Sequence, residues 1–280
     1  MSLFQALAQL VGYATIASLA YSVMSNVWIY FLRPSSLPKY LHARPASWAL
    51  VTGASDGIGR AVAEELLRRG FNVFLHSRNE KKLSDLRARL LETHPDRKIE
   101  PVVVDASQPD IDFTAILTQI KAVDGKLTVL VNNVGGMATY PQYLPLDQTP
   151  PKDIDICMAI NTHFPTRLIA TLLPELKANK PSLILNCGSN AGEFGVPYIS
   201  TYSGTKAHMH VLSMALNTEL KAQGVQGLEV MGVVIGNTAT AGNKTHMEGG
   251  TVTAEECAKG MLDRVGCESL VFRRLLAISF

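Results

Sequence analysis

Three side chains near the middle of the sequence have the types and spacing needed for acid–base chemistry at a carbonyl or an alcohol. Tyr202 and Lys206 are four residues apart at the start of an amphipathic pattern, so a helix would place both on one face. Ser189 follows the apolar run 183–185, which is typical of a buried strand. A free tyrosine titrates near ~10 and exchanges protons poorly at neutral pH, and an adjacent ammonium favours the phenolate. We therefore predict Tyr202 as the general acid or base, with Ser189 as the polarising hydroxyl.

A glycine-rich segment lies upstream at residues 52–59, with the sequence TGASDGIG. An apolar run precedes it and a helical pattern follows as far as Gly70, so the order is strand, turn, helix. Glycines permit close backbone approach, and the helix amino terminus presents unpaired N–H groups to a pyrophosphate. The segment predicts a dinucleotide site, whose candidate contacts are Gly53, Ser55, Asp56, Gly57, Ile58 and Gly59.

The end of the next apolar run, 72–78, indicates which dinucleotide binds. A fold selective for NAD places Asp or Glu there for the ribose 2′-hydroxyl, whereas this chain has Ser77 and Arg78. The arginine guanidinium offers a fork of donors suited to a 2′-phosphate. We predict NADP(H) as the cofactor; the alternative is that Arg78 is a solvated residue ahead of the helical pattern 80–91.

Further apolar runs alternate with helical patterns along the chain. The next predicted strands are 102–105, 127–131, 183–185 and 228–235. This alternation predicts a parallel, doubly wound α/β sheet flanked by helices. Ligands of such sheets bind beyond the carboxyl ends of the strands. Asp105, Asn132 and Gly135 fall at those ends, and Asp105 is placed to meet the adenine of the cofactor.

Two helices complete the predicted domain, which extends over 47–280. The first begins near residue 154, contains Asn161 and continues through 173. The second starts with a capping box at 253–256 and extends to about 265. Residues 269–280 have no clear pattern.

The first 32 residues carry no charged side chain. This exceeds the roughly 20 residues that cross a bilayer, and Trp28, Tyr30 and Phe31 near its end are typical of an interface. The positive charges that follow it, at Arg33, Lys39 and Arg44, place the rest of the chain in the cytoplasm. We predict a membrane anchor at 1–33, which either spans the bilayer or lies on it.

Two other interpretations of this segment stay open. A cleaved signal peptide usually has a basic start and a shorter apolar stretch. A buried or interfacial amphipathic helix agrees with Gln5, Gln9 and Asn26, which dilute the apolar run. After the anchor, the prolines within 34–46 predict an extended linker.

Composition excludes several classes of protein. A net charge of +2 gives no case for nucleic acid as a partner. The four cysteines have no close paired spacing, which argues against a metal site and a disulfide framework. Cys187, in or beside an apolar strand, is interpreted as a small buried residue.

The residues from 47 to 265 resemble the short-chain dehydrogenase/reductase family. The shared motifs are the glycine turn at 52–59, Asp105, the NNVG segment at 132–135, Asn161, Ser189 and Tyr202-x-x-x-Lys206. The resemblance implies a Rossmann-type fold in which Tyr202 exchanges a proton with the substrate oxygen and Ser189 hydrogen-bonds it. It also implies that Lys206 binds the nicotinamide ribose, that Asn161 holds a water of the proton relay and that Thr240 contacts the carboxamide.

A narrower resemblance is to the membrane-anchored microsomal 3-oxoacyl-CoA reductases and their hydroxysteroid dehydrogenase relatives. It is carried by the amino-terminal segment, the NNVG motif, 186–189, the YPQY sequence from Tyr140 to Tyr143, and Val196-Pro197. It implies NADPH, the endoplasmic reticulum membrane, a catalytic domain facing the cytosol and a homodimer formed through the helices of Asn161 and Tyr202. A lipophilic ketone, most of all a 3-oxoacyl-CoA, is the implied substrate; a keto-steroid or a polyketide-type ketone is the alternative.

This chain departs from the family pattern after the sixth strand. Ile235-Gly236 replaces a Pro-Gly pair, which predicts a less rigid loop over the nicotinamide, and only 40 residues follow Thr240. Two other functional classes stay open. One is a membrane protein that binds NADP(H) without turnover, and the other is a secreted protein with a glycosylation acceptor at Asn243.

Overall fold

The structure is a computed structural model that describes residues 2–28, 32–43, 46–137, 143–240, 242–243 and 250–266. Several positions named above lie outside these ranges, namely Tyr30, Phe31, Arg44, Tyr140, the glycosylation positions after Asn243, and 269–280.

Six parallel strands form the central sheet, in the order β3-β2-β1-β4-β5-β6. They are β1 (Ser47–Thr52), β2 (Asn72–Ser77), β3 (Ile99–Val103), β4 (Lys126–Asn132), β5 (Ser182–Cys187) and β6 (Leu228–Val233). This order confirms the predicted doubly wound parallel sheet. Two strands of two residues, β7 (Thr238–Ala239) and β8 (Val252–Thr253), pair separately.

Helices cover both faces of the sheet. They are α2 (Gly57–Arg68), α3 (Glu80–Thr93), α4 (Phe113–Lys121), α5 (Pro151–Met158), α6 (Phe164–Ala178), α7 (Asn190–Glu193), α8 (Ser200–Ala222) and α9 (Ala254–Asp263), after an amino-terminal α1 (Leu3–Val27). Alternate residues of β1 supply two cores: Ala49 and Val51 pack on the side of α2 and α9, and Trp48 and Leu50 on the side of α4 and α6. The strand ends that should carry the site are therefore held between two packed layers.

Two predicted strand boundaries were wrong. The third strand begins at Ile99 and ends at Val103, so Asp105 lies beyond it. It is an edge strand, in which Pro101 is tolerated and Val103 is 45% exposed. Its sequence is therefore not a continuous apolar run. The sixth strand ends at Val233, because its only partner among the described residues, β5, ends at Cys187.

The predicted helix around Asn161 contains an irregularity. A five-residue π segment, Ala159–His163, separates α5 from α6. Such a segment inserts an extra residue into the helical turn and is frequent at functional sites. The capping box predicted at Thr253 is confirmed, since its hydroxyl accepts the Glu256 N–H and the Glu256 carboxylate accepts the Thr253 N–H, and α9 ends at Asp263.

The predicted extended linker is instead packed on the domain. Residues Leu37–Tyr40 form a short 3-10 helix, and the side chains of Leu37 and Tyr40 are 0% exposed. The Tyr40 hydroxyl donates to Glu229 Oε2 over 2.6 Å, and Lys39 forms an ion pair with the same carboxylate. The segment docks because Leu37 and Tyr40 complete the core beside α9.

Helix α1 has the dimensions of a membrane-spanning segment. It contains 25 residues, its most apolar window has a mean hydropathy of 1.4, and none of its residues is buried. Its exposure rules out a place in the core of the described domain. Length and composition suffice for a bilayer crossing, although a signal sequence would meet the same two criteria.

Candidate active site

The glycine-rich turn between β1 and α2 forms a close backbone cradle. Gly53 and Gly57 have φ values of +66° and +53°, which disfavour a side chain. A Cβ on Gly59 would overlap the carbonyl oxygen of Gly53. Asp56 caps α2, since its Oδ1 accepts the Gly57 N–H over 2.7 Å, and Ile58 packs against the core. The turn therefore brings the chain into close contact with itself at the start of α2, where the binding of a pyrophosphate stays a prediction.

His76, in β2, accepts a hydrogen bond from this turn. It was not among the residues predicted from the sequence. Its Nδ1 accepts the Gly53 N–H over 3.3 Å, and its ring stacks on Phe164 at a centroid distance of 4.9 Å. Burial lowers the pKa of His76 to about 4, which keeps Nδ1 available as an acceptor. The sequence signal that could have identified it is a histidine within the apolar run of a predicted strand.

The ends of β2 and β3 carry the predicted ribose and adenine contacts. The Ser77 hydroxyl donates to Ser55 Oγ over 2.9 Å, which ties β2 to the glycine turn, and Arg78 follows it with an exposed side chain. Burial tends to raise the pKa of Asp105, but hydrogen bonds from Ser107 and the nearby positive charge of Arg78 lower it overall. The positive charge of Arg78 thus acts on Asp105, and both residues follow the carboxyl ends of neighbouring strands.

The end of β4 is attached to the glycine turn by Asn133. Its Nδ2 donates to the Thr52 carbonyl over 2.9 Å, and the Thr52 hydroxyl accepts the backbone N–H groups of Asn133 and Val134. Asn132, predicted to contact the cofactor, is 3% exposed and donates to Asn186 Oδ1 over 2.8 Å. Its side chain is therefore committed to the core, and Asn133 is the amide that faces the turn; a contact between Asn132 and the cofactor stays a prediction.

The Asn161 side chain is held by hydrogen bonds to the backbone of Gly136. Its Oδ1 accepts the Gly136 N–H over 3.0 Å, and its Nδ2 donates to the Gly136 and Cys157 carbonyls over 2.8 Å each. A Cβ on Gly135 would lie 2.5 Å from Asn161 Oδ1 and 3.1 Å from Lys206 Nζ. Gly135 therefore lets the amide and the ammonium converge on one point.

Tyr202 and Lys206 lie on one face of α8, as predicted. Lys206 is 5% exposed, its Nζ donates to the Cys187 carbonyl over 3.0 Å, and it lies 5.6 Å from the centre of the half-buried Tyr202 ring. Ser189 caps α7, since its Oγ accepts the Ala191 N–H over 3.2 Å. Its hydroxyl keeps its own hydrogen to donate. Cys187 is confirmed as a buried residue, and burial raises the pKa of its thiol to about 12.

A small cavity opens beside the Tyr202 side chain. Its walls are mainly apolar and come from the segment after β4, from α5 and from the loop before α8; they include Met137, Leu144, Leu146, Ile154, Cys157 and Tyr198. Tyr198 has a φ of +67°, unusual for a residue with a side chain, and its carbonyl accepts the Leu144 N–H over 3.1 Å. The cavity is suited to the apolar part of a substrate.

Thr240 and the loop after β6 lie over the start of α2. A Cβ on Gly57 would be 3.1 Å from Thr240 Cγ2, so Thr240 lies next to the glycine turn. The loop has hydrogen bonds of its own, including Asn237 Nδ2 to Thr251 Oγ1 over 2.8 Å and Asn243 Nδ2 to Asn237 Oδ1 over 2.7 Å. These bonds hold the segment where Ile235 replaces the family proline.

Comparison with known proteins agrees with this geometry. The family pattern described as short chain dehydrogenase matches residues 47–249. A very-long-chain 3-oxoacyl-CoA reductase of Caenorhabditis briggsae is 36% identical over 220 residues, which cover 76% of this chain and 68% of that protein. The enzyme of the same name from Neurospora crassa is 38% identical over 198 residues, 70% of this chain and 58% of the other.

Solved structures support the same assignment. A short-chain dehydrogenase from Sphingobium yanoikuyae in complex with NADPH superimposes with a TM-score of 0.69 at 27% identity, and covers 81% of this chain and 91% of its own. The glycine cradle, the Tyr202–Lys206 pair and these matches lead to one conclusion: the chain is an oxidoreductase that belongs to the short-chain dehydrogenase/reductase family.

Proposed function

We propose that the protein reduces the ketone of a lipophilic substrate, a 3-oxoacyl-CoA, to a secondary alcohol with NADPH. The observation that carries the proposal is the convergence of Tyr202, Lys206 and Asn161 beside the glycine cradle at the carboxyl ends of β1, β4 and β5. Acid–base groups and a dinucleotide cradle on one sheet edge are the parts that ketone reduction requires.

Each side chain has a separate role in the proposed reaction. The Tyr202 hydroxyl gives its proton to the ketone oxygen, and the Ser189 hydroxyl donates a hydrogen bond to the same oxygen. Lys206, held by the Cys187 carbonyl, binds the nicotinamide ribose and provides the positive charge that favours the tyrosine anion left behind. Asn161 holds the water through which the proton is replaced. The nicotinamide supplies the hydride when it is bound.

The cofactor is proposed from residues at one edge of the sheet. A Cβ at Gly53, Gly57 or Gly59 would crowd neighbouring protein atoms, so these glycines allow the tight turn whose backbone would approach a pyrophosphate. Arg78 is exposed next to Asp105, where its guanidinium can pair with a 2′-phosphate. The NADPH complex of the Sphingobium relative supports the same cofactor.

Substrate and location are proposed from the cavity, from α1 and from the relatives. The apolar walls beside Tyr202 and the names of the curated relatives support a long-chain acyl thioester. Helix α1 supports an anchor in the endoplasmic reticulum membrane, with the catalytic domain in the cytosol. Val211 and Met214, 61% and 51% exposed on α8, support a homodimer through that helix.

The secreted alternative is not favoured. Asn243 Nδ2 donates to Asn237 Oδ1 over 2.7 Å and to the Thr238 carbonyl over 3.1 Å. Attachment of a sugar at that nitrogen would remove at least one of these bonds and separate the loop from β7. A deglycosylation gel shift of the expressed protein would contradict this interpretation.

The test is NADPH oxidation by membranes containing the full-length protein. The substrates are a long-chain 3-oxoacyl-CoA, a keto-steroid and an aromatic polyketide-type ketone, each with Tyr202→Phe as the blank. We expect turnover of the acyl-CoA and none above background in the variant, with NADPH binding unchanged. Turnover of another ketone alone would reject the acyl-CoA assignment. A variant that keeps most of its rate would reject Tyr202 as proton donor, and NADPH binding without any turnover would favour a non-catalytic protein.

A further inference from the structure

A histidine–carboxylate pair lies next to the candidate site but takes no part in the proposed chemistry. His210 Nδ1 is 2.7 Å from Glu193 Oε1, and the side chains are 7% and 30% exposed. His210 belongs to α8, and Glu193 is the last residue of the four-residue helix α7. The pair therefore joins the helix that carries Tyr202 to the helix that Ser189 caps.

The register of α8 places His210 in line with the catalytic side chains. Tyr202, Lys206 and His210 follow one another at intervals of four residues, so they share one face of the helix. Helix α7 lies directly on this stretch, because a Cβ on Gly192 would be 2.6 Å from the Lys206 carbonyl carbon. Because the two helices are this close, the Glu193 carboxylate can contact the His210 ring, which lies one helical turn after Lys206.

The same ring also packs on the backbone that leads into Ser189. A Cβ on Gly188 would overlap His210 Nε2, so the ring lies against the residue before Ser189. The Gly188 N–H donates to the Val233 carbonyl over 2.7 Å, which fixes that backbone to β6. His210 thus contacts the residue before Ser189, and through Glu193 it holds a residue four positions after it.

The charges around His210 favour a neutral ring that donates to Glu193. Burial lowers its pKa, the Glu193 carboxylate opposes this, and the Lys206 ammonium adds to the lowering. Glu193, on α7, and Lys206, on α8 itself, are charged groups that act on the ring, and the backbone of Gly188, just after β5, lies against it. The Nδ1–H···carboxylate bond is the arrangement that persists at neutral pH.

We infer that the Glu193–His210 pair is a positioning device that sets the Ser189 hydroxyl against the ketone oxygen shared with Tyr202. The inference rests on the function proposed above. Neither residue is required to touch substrate or cofactor. Their effect reaches the reaction through the backbone from 188 to 193, and displacements of about 1 Å at a reacting group can cost up to about a hundredfold in rate.

The test is a set of variants in the full-length protein, assayed with the substrate that it turns over. Glu193→Ala and His210→Asn should each lower kcat about tenfold or more, with NADPH affinity unchanged within about twofold. The double variant should be no slower than the worse single variant, since both changes break one contact. Glu193→Gln should restore most of the rate, because its amide oxygen still accepts the Nδ1–H. His208→Asn, on the same helix but hydrogen-bonded to Thr166, is the matched control and should keep its rate.

The decisive readout uses Ser189→Ala as the background. If the pair acts by placing Ser189, Glu193→Ala should cause little further loss once the hydroxyl is gone. The inference would be overturned if Glu193→Ala lowered kcat by the same factor in the Ser189→Ala background as in the wild-type protein. It would also be overturned if Glu193→Ala lost affinity for NADPH. Because Glu193 is at the surface, its variants keep the test valid if His210→Asn does not fold. Full activity of Ser189→Ala or Tyr202→Phe would instead refute the proposed function.

Discussion

Replacing Arg78 with alanine should weaken the binding of NADPH far more than that of NADH. Arg78 is exposed just after β2, and its charge helps to lower the pKa of Asp105. In the proposed complex its guanidinium would pair with the 2′-phosphate. Hydrogen bonds to charged groups contribute about 1.5–3 kcal/mol each. Because Arg78 is solvated, the lower end applies, and about 1.5 kcal/mol corresponds to roughly a tenfold loss of affinity.

The assay is a titration of each dinucleotide followed by its fluorescence, at two salt concentrations. We expect the dissociation constant of NADPH to rise about tenfold in Arg78→Ala, with that of NADH changed less than twofold, and the difference to shrink at high salt. Lys82→Ala removes the same charge from the first turn of α3 and is the matched control. Equal losses for the two dinucleotides, or an equal effect of Lys82→Ala, would show that Arg78 is an ordinary surface residue.

Three further predictions concern the cradle, the linker and pH. Gly59→Ala should abolish measurable NADPH binding, since its Cβ would overlap the Gly53 carbonyl; binding within twofold of wild type would refute the cradle. Leu37→Ala should lower the free energy of unfolding by about 2–5 kcal/mol in urea titration, because that side chain is fully buried; a change below about 0.5 kcal/mol would show that the linker docks weakly. Burial lowers the pKa of His76 from 6.5 to about 4, so its contribution to stability is complete above pH 6.5 and is lost as the pH falls toward 4, by up to about 3 kcal/mol. Urea midpoints from pH 7 to 4 should fall less steeply in His76→Gln, and identical slopes would contradict this.

Most of the architecture and the site could be predicted because the informative signals are local. The Tyr202–Lys206 spacing, the glycine turn and the capping box at Thr253 each lie within a few residues, and the structure confirms these local elements. Strand β3 was placed wrongly because this edge strand is only partly buried, while apolar runs reveal fully buried strands.

The features that were missed depend on contacts between distant parts of the chain. The burial of Leu37 and Tyr40 depends on α9 and on Glu229, about 190 positions away. The amide of Asn132 turns inward only because Asn186 lies beside it in the sheet, which leaves Asn133 to face the glycine turn. No spacing within either segment encodes these partners.

The docking point of the linker sets how the proposed membrane anchor would orient the catalytic domain. Residues 35–42 pack at the amino ends of the strands, where Ser35 donates to the Leu262 carbonyl and His42 meets the Pro181 carbonyl. Tyr202 and Lys206 lie at the opposite, carboxyl ends, about 20 Å away for six-residue strands. In the proposed membrane-anchored enzyme, a domain tethered through this linker would present its catalytic opening away from the bilayer, so a lipophilic substrate would have to leave the lipid phase before its reduction. Turnover should then follow the aqueous concentration of the acyl carrier, and dilution of the substrate into added lipid vesicles should slow the enzyme.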